Sequence, residues 1–551
     1  MTKKSAPRSL SFRIGQDGIV MPVALGMVLL LSLVGMEALV SSSKDLLTAR
    51  SQRVGKGAFY ASEGGIVYGV KELNSLLATT LVPTSAQVAA ITAPSISGFN
   101  FDTFSVAASG VSAVKTITTG PYAGLNSVST PYTITSQTSG TGADSGTVRL
   151  TQSVEDQLIP LFQFGVFYDG DLEIFPGPPM TFNGRIHSNK DIYLGGASTV
   201  DSRISSAGNI YRCRKDTSSS TCFSAKVKDT AGTYTHTLSY DHNTSNWATK
   251  AYQDWSGLVQ DSAHGVQKLN LPIGTSSPID LVKRGDTIEP ADSSESDTLK
   301  SGRMYWQADL RILDGVAYAK TGVTVTLQAG TVSTATMYDY RENKAVTLRQ
   351  VDIDNLVSSG KAPANGILYI SETQGVTNNK AIRLTNGSSL PTGGLTVASD
   401  NPVYVKGSYN TVNKKGAAIM GDAVTFLSNN WNDANAVNAG SPFSNRGASD
   451  TTVNAAVVTG NSTTSIGNYN GGLENLPRFL ENWTGKTFTY KGSLIDLWQS
   501  QQGTGAWQYG SPKYTAPNRV WSYDTDFNNP ANLPPGTPRV RTLARTQWAR
   551  M

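Results

Sequence analysis

PLFQFGVFYDGDLEIFPGPPMTFNGRIHSNKDIYLGG, residues Pro160–Gly196, decides the architecture of most of this 551-residue chain. Apolar and polar residues alternate, the chain turns at Pro176-Gly177-Pro178-Pro179, and the alternation resumes. Phe164, Val166 and Tyr168, then Leu172 and Ile174, read as faces of consecutive short strands. The stretch His187–Tyr193, HSNKDIY, is echoed by Ser205–Tyr211, SSAGNIY. A repeat of that length suggests successive turns of a β-solenoid.

The same character returns downstream as GILYIS, AIRLT, GLTVASDNPVYVKGSY, GAAIMGDAVTFLSNNW, VNAAVVTGN and TFTYKGSLIDLW. Strands of four to six residues alternate with Gly, Asn, Asp and Ser corners. The apolar centres Leu384, Val397, Val405, Ile419 and Phe426 are unevenly spaced, so no clean solenoid code emerges. A parallel β-helix-like body is the first expectation and a sandwich the second.

Composition supports a β-rich chain. Only 16% of residues are charged, 53 are Gly, and the net charge is +5, unlike a helical cytosolic enzyme. The length exceeds one compact core, so two or three domains are expected. No basic stripe with interleaved aromatics occurs, so no nucleic-acid partner is expected. The two cysteines, Cys213 and Cys222, enclose a turn-rich loop, and a local disulfide is expected if the body is extracytoplasmic.

At the other end, residues Gly18–Val40, GIVMPVALGMVLLLSLVGMEALV, contain no charge before Glu37. As a helix, Gly18 to Met36 covers roughly 28 Å, the thickness of a bilayer's hydrocarbon core. The run is longer than a signal-peptide core and ends in a poor cleavage box. Leu46, Leu47, Val54, Ala58, Ala61, Ile66, Val70 and Leu73 follow at spacings near 3.6, so the helix is expected to continue as an amphipathic segment. Its many small residues would let another helix approach closely.

A basic leader ending in Gly18, an apolar helix with Pro22, and then Ala58-Phe59-Tyr60-Ala61-Ser62-Glu63-Gly64-Gly65-Ile66 resembles the N-terminus of PilX-type minor pilins. The resemblance implies cleavage between Gly18 and Ile19 by a prepilin peptidase. It also implies a helix that first sits in the inner membrane and later packs with other pilins in a filament core. Val23 stands where most pilins carry Glu. The phrases GPPMTFNGRIHSN, MYDYREN and LTVASDNPVYVKGSYN resemble an extracellular β-domain of no established activity that often follows such N-termini.

The expected organisation is a leader (1–18), a transmembrane and amphipathic helix (19–78), a Ser/Thr-rich β region (79–155), and a β-domain (156–360) with a polar insertion (213–301). A solenoid-like region (361–500) and a C-terminal tail (501–551) complete it. Arg539, Arg541, Arg545 and Arg550 read as a solvated tail. His187 and the pairs Asp169/Asp171, Asp352/Asp354 and Asp524/Asp526 are the tempting polar residues. The structural readings are corner hydrogen bonds for His187, a hairpin turn at Asp169-Gly170-Asp171, and a helix start at Asp352. No nucleophile elbow, zinc motif or phosphate loop occurs, so neither catalytic residues, a metal nor another cofactor is expected. The function expected is a non-catalytic minor pilin near a filament tip, with the body periplasmic before assembly and at the cell surface after it, able to meet a surface or glycan receptor. A membrane-anchored envelope adhesin and a polysaccharide-active β-helix enzyme stay open.

Overall fold

The structure is a computed structural model and describes residues 20–141, 146–216 and 222–551. A long N-terminal helix is followed by a strand-rich body. Helix α1 runs unbroken over Val20–Thr79. Its outer part carries apolar side chains into solvent, with Leu31 71% exposed. From Ala58 onward one stripe is buried: Ala61, Ser62, Gly65, Ile66, Gly69, Val70, Leu73 and Leu77. Leu46 and Leu47, expected on that stripe, are exposed.

The stripe lies on an antiparallel sheet made of β1 (Phe99–Ala108), β3 (Asn126–Gly140), β4 (Thr147–Pro160) and the C-terminal strand Arg539–Arg550, in that order, with β2 (Ala113–Thr116) also on β3. Small residues set the approach. A β-carbon on Gly65 would lie 2.6 Å from the Phe101 ring, and one on Gly69 would lie 2.8 Å from Ile134. Ser62 Oγ donates to the Ser136 carbonyl at 2.6 Å, and Thr138 Oγ1 donates to the Ala58 carbonyl at 2.7 Å. These small residues let this protein's own sheet approach the helix closely.

The C-terminal segment is not a tail. Val540 pairs with Ile159 and Arg541 with Leu158 across β4, and the strand continues past a bulge to Arg550. Arg539, Arg545 and Arg550 are exposed, whereas Arg541 is only 3% exposed. The cluster of cations misleads because its members lie along a paired strand, where Arg539, Arg545 and Arg550 reach solvent while the end of α1 covers Arg541.

The body begins with β5 (Val166–Tyr168), β6 (Leu172–Ile174), β7 (Met180–Phe182), β8 (Ile186–Ser188), β9 (Ile192–Leu194), β10 (Ser198–Val200), β11 (Ile204–Ser206) and β12 (Ile210–Tyr211). All pair in parallel with their counterparts: β5 with β8 and β8 with β11, β6 with β9 and β9 with β12, β7 with β10. The echoed sequences lie on one another, His187 opposite Ser205 and Tyr193 opposite Tyr211. The polar segment 213–301 is partly absorbed into this stack rather than excluded from it. Ala225–Val227 extends β10, Val259–Gln260 extends β11, and helix Trp247–Trp255 buries Trp247, Ala251 and Trp255.

The chain then resumes at the opposite end. Leu310–Leu313, Ile367–Ser371, Leu395–Ala398, Ala417–Met420, Ala456–Asn461 and Leu494–Gln499 pair in parallel, one after another. The last of these pairs with β5, Leu494 opposite Val166, so the later stack closes onto the first strand of the earlier one. Ser493 Oγ donates to the Phe164 carbonyl at 2.5 Å across this seam, 329 residues apart in sequence. The uneven apolar centres resolve into two interleaved series. Leu384, Val405 and Phe426 stack on one face, and Val397 stacks on Ile419 on another. All five lie in the core.

Candidate functional site

The outer part of α1 is the most unusual surface. It is long and apolar enough to cross a membrane, and none of its most apolar window is buried. Val23 stands exposed within it. The predicted processing residues Gly18 and Ile19 lie outside the described residues.

The inner end of α1 is fastened by Arg541. Its guanidinium donates to the carbonyls of Leu77, Thr80 (2.8 Å) and Leu81 (2.5 Å), where the helix runs out of intrahelical partners. Its Nε lies 2.7 Å from a carboxylate oxygen of Asp156 on β4. That contact is poorly aligned as a hydrogen bond and acts mainly through charge. Burial pushes the Asp156 carboxyl up and the Arg541 guanidinium down, despite their proximity.

The polar residues singled out from sequence mostly hold the corners of the stacks. Asp171 Oδ1 accepts from the Asp191 N–H at 3.2 Å, and Asp191 Oδ1 accepts from the Asn209 N–H at 2.8 Å. Each acid ties its corner to the next turn. Asp169-Gly170-Asp171 is thus a corner joining β5 to β6, not a hairpin turn. His187 is fully buried, with Ser205 Oγ at 2.9 Å from Nδ1 and Asn189 Oδ1 at 3.1 Å from Nε2. The rings of Tyr122, Phe164 and Phe167 surround it, and burial drops its pKa to about 4, so it is neutral and sealed from substrate.

Asp352 caps helix Ile353–Ser358 by accepting from the Asn355 N–H at 2.9 Å. Asp524 and Asp526 are balanced by Lys414 at 2.5 and 2.7 Å. Cys213 and Cys222 are joined in a disulfide. Among the described residues, no group of three or more His, Cys, Asp or Glu side chains is placed to hold a metal.

What sequence reasoning missed is the seam. Asp496, on the strand that pairs with β5, faces the Asp169 corner, and the Asp169 N–H donates to the Asp496 carbonyl at 2.8 Å. Burial, with Asp169 adding to it, holds the Asp496 carboxyl well above the carboxylate range. Glu173 is raised by burial, and Glu474 is pushed up to about 7 by burial. These acids come from segments that only the fold unites, so no local motif announces them.

No family model, curated protein or solved structure matches this chain.

Proposed function

We propose that this protein is a PilX-type minor pilin, a non-catalytic structural subunit of a type IV pilus or related filament placed at or near its tip. The observation that carries the reading is the division of α1. Its outer part carries an apolar stretch that is exposed, while its inner part is seated by small residues on an antiparallel sheet. Such a helix exchanges lipid for neighbouring helices without changing the face it presents. Prepilin peptidase cleaves after Gly18 while the protein spans the inner membrane with its body in the periplasm. The body reaches the cell surface when the subunit joins a filament, where it primes assembly or contacts a surface.

The body is a parallel β-solenoid in two stacks that meet at β5. The run of parallel pairs on each side of that strand, and the vertical alignment of the two echoed sequences, support this. A bulky body of this kind suits a tip, where no further subunit must pack above it.

The test is the N-terminal peptide of the mature protein, read by mass spectrometry in membrane and sheared-surface fractions. A peptide beginning at Ile19, in both fractions, is the expected result. An intact leader on all of the protein would defeat the pilin reading and leave an anchored envelope adhesin.

A further inference from the structure

A cleft of about 210 Å³ opens at the seam between the two stacks, where the corner Asp169–Asp171 faces the segments 461–464 and 496–499. We propose that this cleft binds an uncharged saccharide. The inference concerns the body alone and does not depend on filament assembly.

Two of the cleft's acids are already engaged. Asp171 pairs with Lys215 at 2.5 Å, and Asp169 accepts from Asn189 Nδ2 at 2.8 Å. Among the described residues, three buried polar atoms of side chains that line the cleft have no hydrogen-bond partner: Glu173 Oε2, Asn461 Nδ2 and Trp498 Nε1. Glu173 and Asn461 are 3% and 5% exposed. The Asn461 carbonyl oxygen is held by the Ser462 N–H at 2.9 Å, which fixes the amide and leaves its NH₂ group free. The lining residues thus carry one unused acceptor oxygen and two unused donors, and leaving such groups unpaired is costly in a native protein.

The ligand class follows from that set. A hydroxyl group donates and accepts at once, so adjacent sugar hydroxyls satisfy both kinds of atom. A uronate or phosphate would meet Asp169, Asp171 and Glu173; of the two lysines in the lining, Lys215 is taken up by Asp171 and Lys190 is exposed. A metal ion finds no group of three suitable ligands among the described residues. At the mouth, the exposed side chains Thr463 and Gln499 are hydrogen-bonded to each other at 2.6 Å.

The experiment applies full-length protein, in a detergent without a sugar headgroup, to a printed array of neutral and acidic oligosaccharides. The best neutral glycan is then titrated. Neutral glycans are expected to give the signal. Asn461→Leu is expected to weaken binding about tenfold or more, the loss of one well-placed hydrogen bond. Gln499→Ala, at the exposed rim, is expected to weaken it about threefold, a smaller change because that side chain is already solvated. No neutral glycan above background, a preference for uronate-bearing glycans, or unchanged affinity in both variants would overturn the proposal. If Asn461→Leu does not fold, Gln499→Ala and Thr463→Ala decide it. Binding is read on unassembled subunits, so failure here leaves the filament reading standing, and failure of leader processing leaves the cleft standing.

Discussion

Replacing Arg541 with Met tests how α1 is held to the body. The methionine keeps the aliphatic stem but removes the donors that reach Leu77, Thr80 and Leu81, and it strands Asp156 in a buried site. Removing one partner of a buried pair costs about 3–5 kcal/mol, and the exposed carbonyls at the helix end place this case near 4. Asp156→Asn should cost only about 2 kcal/mol, because Arg541 keeps its three carbonyls and the amide keeps the shape. Burial already dominates both groups' ionisation, so the double variant should cost less than the two single losses added together. The assay is hydrogen exchange of the α1 amides between Ser62 and Thr79, with core-strand amides of the body as internal reference. Arg541→Met should speed exchange there by roughly a thousandfold while leaving the body unchanged. A change below tenfold, or a larger effect from Asp156→Asn than from Arg541→Met, would refute the reasoning.

Glycine placement gives a second test. Gly65→Ala should destabilise helix docking by about 1–3 kcal/mol through collision with Phe101. Gly55→Ala, whose added β-carbon meets no atom of the described residues within 4 Å, should instead gain up to about 1 kcal/mol of helix propensity. Both are read by the same exchange experiment. The pH response gives a third. Glu474 and Glu481 are pushed up from 4.5 to about 7 by burial. For acids raised in the folded state, the stabilisation is complete below pH 4.5 and is lost as pH rises through 7, up to about 3 kcal/mol for each. Asp261 and Asp433 are held below the usual range, so their loss falls at lower pH and does not overlap. Asp156, Glu173, Asp400 and Asp496, raised by burial too, act in the same sense and buried neutral His187 in the opposite one, so thermal melts should show the body more stable at pH 5 than at pH 8, and the double variant Glu474→Gln, Glu481→Gln should shrink that difference. An unaltered pH slope in the double variant would exclude these two acids as its source.

The parts legible in sequence are those in which neighbours along the chain remain neighbours in space. Helix α1 shows in its hydropathy, and the Ser/Thr-rich β region expected over 79–155 holds β1, β2, β3 and most of β4. The echo of HSNKDIY in SSAGNIY could be read because a single turn of chain separates His187 from Ser205. Further on, the same regularity is hidden by its own geometry. Leu384, Val405 and Phe426 recur every 21 residues on one face, while Val397 and Ile419 keep a spacing of 22 on another. Read as one series, the two interleave and look irregular.

The seam was illegible for a stronger reason. β5 pairs on one side with a strand about one turn later and on the other with Leu494–Gln499, near the end of the body. Short-range periodicity carries no information about that second partner, because any buried parallel strand of similar apolar content could occupy the place. What selects it is the path of the whole chain. The first stack grows away from β5, residues 261–309 carry the chain to the far end, and the second stack returns. The acids of the cleft meet only after that circuit is complete. Asp169 looked like one end of a turn because its neighbours in sequence are Gly170 and Asp171. The residue it acts on is Asp496, whose carboxyl it helps burial to raise and which no window around it contains. The Arg541 clasp follows the same rule, since its partners Leu77 and Asp156 lie in the first third of the chain. In this protein the contacts that join helix, sheet and stacks are made by strands that leave one module and finish in another. The polar groups at those joints are the ones a local reading assigns to turns and tails.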